Sequence, residues 1–138
     1  QCSHSEWGAW DVLPANNWTL GDHVTEFSDC FYQDGKGDAD LLVANIAFAE
    51  ALAARGLTGA DLGIGQLWPR SGAPAGTDNP VSFKWVTGYP KLSAYANYTH
   101  IWWNEGLTNE WNALYGDIVS CDSGRVYRSQ VMNTPKGG

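Results

Sequence analysis

From residue 19 the apolar positions step at helical intervals. Leu20, Val24, Phe27 and Phe31 fall at i, i+4, i+7 and i+11, one face of a helix. Thr19 stands where an N-cap would, and Asp22 follows as the acid of a capping box. "QDGKGDAD" breaks this first predicted helix. A second predicted helix, "IAFAEALAAR", is capped by Asn45 and closed by Gly56. His23, inside the first of them, is expected at the surface or in a capping role. The period then changes. "ADLGIGQLW" reads as a buried strand, "PRSGAPAGTDNP" as a loop, and "VSFKWVTG" alternates as a strand does. From Tyr89 to Trp111 nothing is clearly periodic, and so long a stretch predicts a functional loop. "GDIVSC" and "GRVYRSQV" predict two closing strands. The Trp-rich residues 1–18 predict a strand or arm that lays its rings on the domain, and residues 131–138 a frayed tail.

Two helices followed by strands predict an α+β fold in a single domain, residues 1–138. A length of 138 residues suits one core. With 43% apolar and 17% charged residues the chain is globular. Its formal net charge of −7 argues against nucleic acid and against an anionic membrane, both of which need a basic face. No apolar run approaches the roughly 20 residues of a spanning helix. Sequons at Asn17 and Asn97 mark candidate glycosylation sites, and with Gln1 as a candidate processed N-terminus they predict a secreted, extracellular protein. Cys2, Cys30 and Cys121 allow one disulfide and one free thiol.

The blocks "DLLVANIAFAEAL", "LGIG", "FKWVTGYP", "YGDIVSC" and "RVYRS", in this order, resemble the C-type lectin-like domain. "LGIG", Leu62 to Gly65, holds the place of that family's Trp-Ile-Gly-Leu strand. "FKWVTGYP", Phe83 to Pro90, fits its aromatic-x-Trp-x-x-Gly-x-Pro strand and turn. "DLLVANIAFAEAL" resembles the approach to its second helix, and "YGDIVSC" with "RVYRS" its last strands. The resemblance covers residues 19–130. It implies two helices packed on antiparallel strands, with a long loop region at 93–117 that binds carbohydrate or an extracellular protein surface. In sugar-binding members that loop carries Trp-Asn-x-Gly and then a Glu-Pro-Asn triplet whose oxygens hold Ca²⁺ and the sugar together. Here Trp103-Asn104-Glu105-Gly106 matches the lead-in, but the triplet falls on Leu107-Thr108-Asn109. The family's Trp-Asn-Asp keeps only Asp117. The family position of Trp103 implies a core anchor under the loop. For the cysteines, the resemblance and the need to tie down the N-terminal arm favour Cys2–Cys30, with Cys30–Cys121 as the runner-up.

Ca²⁺ takes about six to eight oxygen ligands. Asn109, Glu110 and Asp117 are the candidate metal ligands, with Glu105 beside them. Because Leu107 cannot coordinate, the expectation is no cofactor or weakly bound calcium. Ligand contact then falls to Trp102 and Trp111, with Asn104, Glu105, Asn109 and Glu110 around them. Trp68 and Trp85, on or next to strands, are expected in the core. Two other readings stand beside this non-catalytic binding module. One is a small secreted hydrolase using Glu105 and Glu110, since glycosidases need paired carboxylates. The other is a protein–protein interaction domain with no sugar or metal site. No zinc-type His spacing and no Gly-x-Ser-x-Gly elbow occurs.

Overall fold

The computed structural model describes residues 6–16, 18–19, 21–71 and 81–131. In chain order the elements are β1 (Glu6–Leu13), β2 (Gly21–Tyr32), α1 (Asp38–Ala54), β3 (Gly63–Ser71), β4 (Phe83–Tyr89), α2 (Leu92–Asn104), α3 (Leu107–Tyr115), β5 (Val119–Cys121) and β6 (Arg125–Val131). The strands form one antiparallel sheet in the order β1-β3-β4-β2-β5, with β6 also paired to β2. The class is therefore mixed α and β. Its connectivity is a split βαβ unit used twice. β4 lies between β2 and β3, and β2 lies between β4 and β5. β2 runs 12 residues. That length lets it pair with β4 on one edge and with β6 and then β5 on the other. One hydrophobic cluster joins the helices to one sheet face, with Leu41, Phe48, Leu52, Ile101, Leu107 and Tyr115 meeting Cys30, Ile64, Phe83 and Tyr89.

The expected first helix, over Thr19–Phe31, is instead the strand β2. It is rich in β-branched and aromatic residues, which suit a pleated surface. Cys30 packs in the core with Val24 and Tyr32 against it, while Phe27 lies on the opposite face in edge contact with Tyr127 at 5.9 Å. A strand apolar on both faces imitates the i, i+4, i+7 spacing. His23 is accordingly buried; its Nε2–H donates to the Thr19 carbonyl at 2.7 Å and its ring stacks on Trp18.

The other helix begins earlier than its predicted cap. Gly37 precedes its first turn, the Gly37 N–H donates to the Asp40 carboxylate at 3.1 Å, and Asp38 and Asp40 suit the positive helix end. Asn45 lies mid-helix and buried. The end is as expected. Gly56 takes φ +73, and the Gly56 and Leu57 amides donate back to Ala53 and Leu52, a Schellman closure.

The expected long loop at 93–117 is two helices joined at Gly106, whose φ of +79 turns the chain. Ala94, Tyr95, Tyr98, Ile101 and Trp102 form one stripe of α2 against the core, and Leu107, Trp111, Leu114 and Tyr115 one stripe of α3. The strands β3 to β6 overlap the segments predicted as strands, although β3 runs on through Pro69–Ser71, which were expected to be loop, and β1 supplies the strand expected near the N-terminus. Residues 72–80, inside the expected loop at 69–80, and the tail at 132–138 lie outside the described residues.

The disulfide joins Cys30 to Cys121, not Cys2 to Cys30. Cys121 on β5 is the direct cross-strand partner of Cys30 on β2, with Cα atoms 4.1 Å apart. Cys2 lies outside the described residues. The two bonded cysteines are 91 residues apart in sequence, a loop whose closure is worth roughly 4–5 kcal/mol in the chain-entropy model. Replacing both Cys30 and Cys121 with Ala should lower unfolding stability by about 2–5 kcal/mol in urea titration. A loss under about 1 kcal/mol would contradict the pairing.

Candidate functional site

The site begins with a buried polar triad. Asn45 on α1 and Gln66 on β3 exchange amide hydrogen bonds of 2.8 and 2.9 Å, and the Tyr115 hydroxyl on α3 donates to the same Asn45 oxygen at 2.9 Å. Tyr115 is thereby fixed in height over the sheet. One turn earlier, Trp111 stacks on its ring at 5.1 Å and 28°. Trp111 also meets Trp85 of β4 at 6.0 Å and Trp102 of α2 at 6.1 Å. From Trp102 the ring contacts continue through Tyr98 to Tyr89 and Tyr95.

Of these rings, Trp85, Tyr95, Tyr98, Trp102 and Trp111 line a cleft of about 360 Å³. Its floor is two cross-strand pairs on the core face of the sheet, with Ser28 opposite Trp85 and Glu26 opposite Thr87. Trp102 and Trp111 line it half-buried, and Trp103 lines it while 68% exposed. The turn at Asp122–Gly124 forms the lip.

Glu26 is the unusual group. Burial pushes its carboxyl above the usual range, and the hydrogen bond from the Tyr89 hydroxyl, at 3.4 Å, only partly offsets this. The other carboxylates near the lip are matched. Asp122 accepts the Asp29 N–H at 2.7 Å and pairs with Arg125, and Asp29 pairs with Arg125 and Lys84. Among the described residues no Lys, Arg or His forms an ion pair with Glu26. The lip also closes tightly on it, since a Cβ at Gly124 would lie 2.0 Å from Glu26 Oε1. Burial raises the phenols of Tyr89 and Tyr98 beyond their ordinary range, so both remain neutral donors.

The structure brings together only part of the residues singled out in the sequence. Trp102 and Trp111 share the cleft. Trp103 is the exposed ring, not a buried anchor, because it leaves α2 on the side away from the core stripe. Trp68 and Trp85 pack partly buried against the core, and Trp85 also serves as cleft floor. Asn104 bonds the His100 ring at 3.2 Å, and Glu105 lies 3.6 Å from the same ring. Glu110 pairs with Arg55. Asn109 and Asp117 are exposed. None of Asn104, Glu105, Asn109, Glu110 or Asp117 lines the cleft. Among the described residues no group of three or more His, Cys, Asp or Glu side chains could hold a metal ion. Asn97 is exposed on α2, and Asn17 lies outside the described residues.

Glu26, Ser28, Thr87, Tyr95 and Tyr98 were missed. A signal for Glu26 exists. In Val24-x-Glu26-x-Ser28-x-Cys30 an acid occupies a core-facing position of an alternating run, visible once the segment is read as a strand. No protein-family model, no curated protein and no solved structure was found to match this chain.

A raised carboxyl has a signed effect on stability. Between its unfolded value, near 4.5, and its higher folded value, the native state binds more protons, so stability falls as pH rises through that window. Glu26→Gln removes this penalty. At pH 7 the variant should be more stable than the parent in chemical denaturation, with the difference vanishing below the unfolded carboxyl value. A variant less stable at pH 7 by the same margin at every pH would contradict the desolvation of Glu26.

Proposed function

We propose that the protein is a secreted, non-catalytic binding module that takes a small ligand into the aromatic cleft, with carbohydrate as the ligand class. The observation that carries this reading is the set of indoles around the cleft, above all Trp103, which is 68% exposed. A large ring left in water on a regular helix gains nothing for the fold and suits a ligand. Sugar rings offer C–H faces to indole faces. Glu26, Ser28 and Thr87 on the floor offer acceptors and donors to hydroxyls. The volume is that of a site for one small molecule. The lectin resemblance contributes the ligand class, and the proposed mode differs from that family's because ring stacking, not a shared metal, supplies the contact. The disulfide and the sequons support export.

A protein partner has one observation of its own. Leu42, Val43 and Ile46 are 40%, 70% and 59% exposed along α1, an apolar stripe of the kind that marks docking surfaces. For the hydrolase alternative, Glu105 and Glu110 engage His100 and Arg55 outside the cleft.

A glycan array identifies a ligand, and calorimetry then compares variants. Trp103→Ala should weaken binding by more than about 1 kcal/mol, the scale of an aromatic anchor. Its stability should change by no more than about 0.5 kcal/mol, as for other exposed positions. EDTA should leave binding unchanged. Loss of binding on chelation, or an unaffected Trp103→Ala variant, would contradict the proposal.

A further inference from the structure

We propose that the cleft selects a ligand carrying a positively charged nitrogen, held between the Glu26 carboxylate and the tryptophan faces. This rests on the reading of the cleft as the binding site and adds the charge of its ligand.

Four observations converge. First, Glu26 is a partly buried carboxylate on the floor of the cleft, with no protein cation beside it among the described residues. Three other acids on or beside β2 have partners: Asp22 with Arg128, and Asp29 and Asp122 with Arg125. An anion taken partly out of water without a counter-charge is costly unless a ligand supplies that charge. Second, the surfaces around it are aromatic. Trp85, Trp102, Trp103 and Trp111 line the same space, and the negative face of an indole attracts a cation within about 6 Å. Third, the Gly124 lip lies against the carboxylate: a Cβ there would come within 2.0 Å of Glu26 Oε1. Fourth, the whole chain carries a net charge of −7, a field that draws cations and repels anions. A neutral sugar would use Glu26 only as a hydrogen-bond acceptor and would leave its charge unmatched. An amino sugar or a substituted ammonium group matches both the rings and the carboxylate.

Two matched pairs of probes separate charge from shape: glucosamine with glucose, and choline with 3,3-dimethyl-1-butanol, its uncharged isostere. Binding is read by tryptophan fluorescence and calorimetry on the full chain at neutral pH. The charged member of at least one pair should bind about tenfold more tightly, the order expected for a cation on aromatic faces. Glu26→Gln should reduce that preference to about twofold or less, as a charge-dependent contact requires. Gly124→Ala is the second variant. Its methyl meets the far end of the Glu26 side chain, so it should displace the carboxylate and weaken the preference while circular dichroism stays native. Trp103→Ala should weaken both members of the pair.

Equal binding of charged and neutral members, with Trp103 still required, would overturn the cation inference and leave the cleft reading standing. A preference that survives Glu26→Gln unchanged would place the charge recognition elsewhere and also overturn it. No saturable binding of any of the four probes would overturn both.

Discussion

The Tyr115 hydroxyl sets where the rest of the structure can go. A buried amide is costly unless its hydrogen bonds are made. Asn45 and Gln66 are 4% and 0% exposed, and they answer each other with two bonds. Tyr115 completes the set from α3, 70 residues along the chain from Asn45. The triad thus ties two helices and a strand at one point, and a shift of any member would orphan the others. Aromatic packing follows from that point. Phe48 and Trp85 both meet the Tyr115 ring edge-on, at 5.6 and 5.2 Å, and Trp111 stacks against it. The wall of the cleft is therefore an extension of the core, supported by elements fixed for other reasons.

Rigidity on one side contrasts with tension on the other. The walls are well-packed rings, but the floor holds a carboxylate that the fold does not neutralise. A salt-linked turn borders this carboxylate. Asp29, Lys84, Arg125 and Asp122 fasten the strand ends, and the same turn brings Gly124 against Glu26. A side chain held where its charge is poorly solvated is what a ligand site demands and what stability alone would remove. Hydrophobic burial and the Cys30–Cys121 bridge give the chain enough stability to carry that one unfavourable group.

Much of the sheet was legible in the sequence, because β4 alternates, β3 reads as a short apolar run, and turn residues bound both. The Gly56 closure was legible for a similar local reason. β2 was not, since apolar residues on both of its faces mimic a helical period. The helices α2 and α3 were hidden differently. Their core stripes are built from Tyr and Trp rather than Leu and Ala, so the rings read as a binding loop. That misreading still found Trp102 and Trp111, which have both roles. Glu26 stayed out of view because its neighbours were assigned to a helix, where its position carries no meaning. Cys121 lies near Cys30 only through strand pairing across 91 residues, which no local pattern reveals.

The eight tryptophans supply a direct map of the site. Each indole N–H gives its own signal in a nitrogen–proton correlation spectrum, assignable by single substitutions. Trp85, Trp102, Trp103 and Trp111 line the cleft; Trp10 and Trp68 line a second hollow beside α1; Trp7 and Trp18 lie apart from both. Titration with a ligand that binds the protein should move the four cleft signals and leave Trp7, Trp10, Trp18 and Trp68 in place. Shifts confined to Trp10 and Trp68, with the four cleft signals still, would contradict the account.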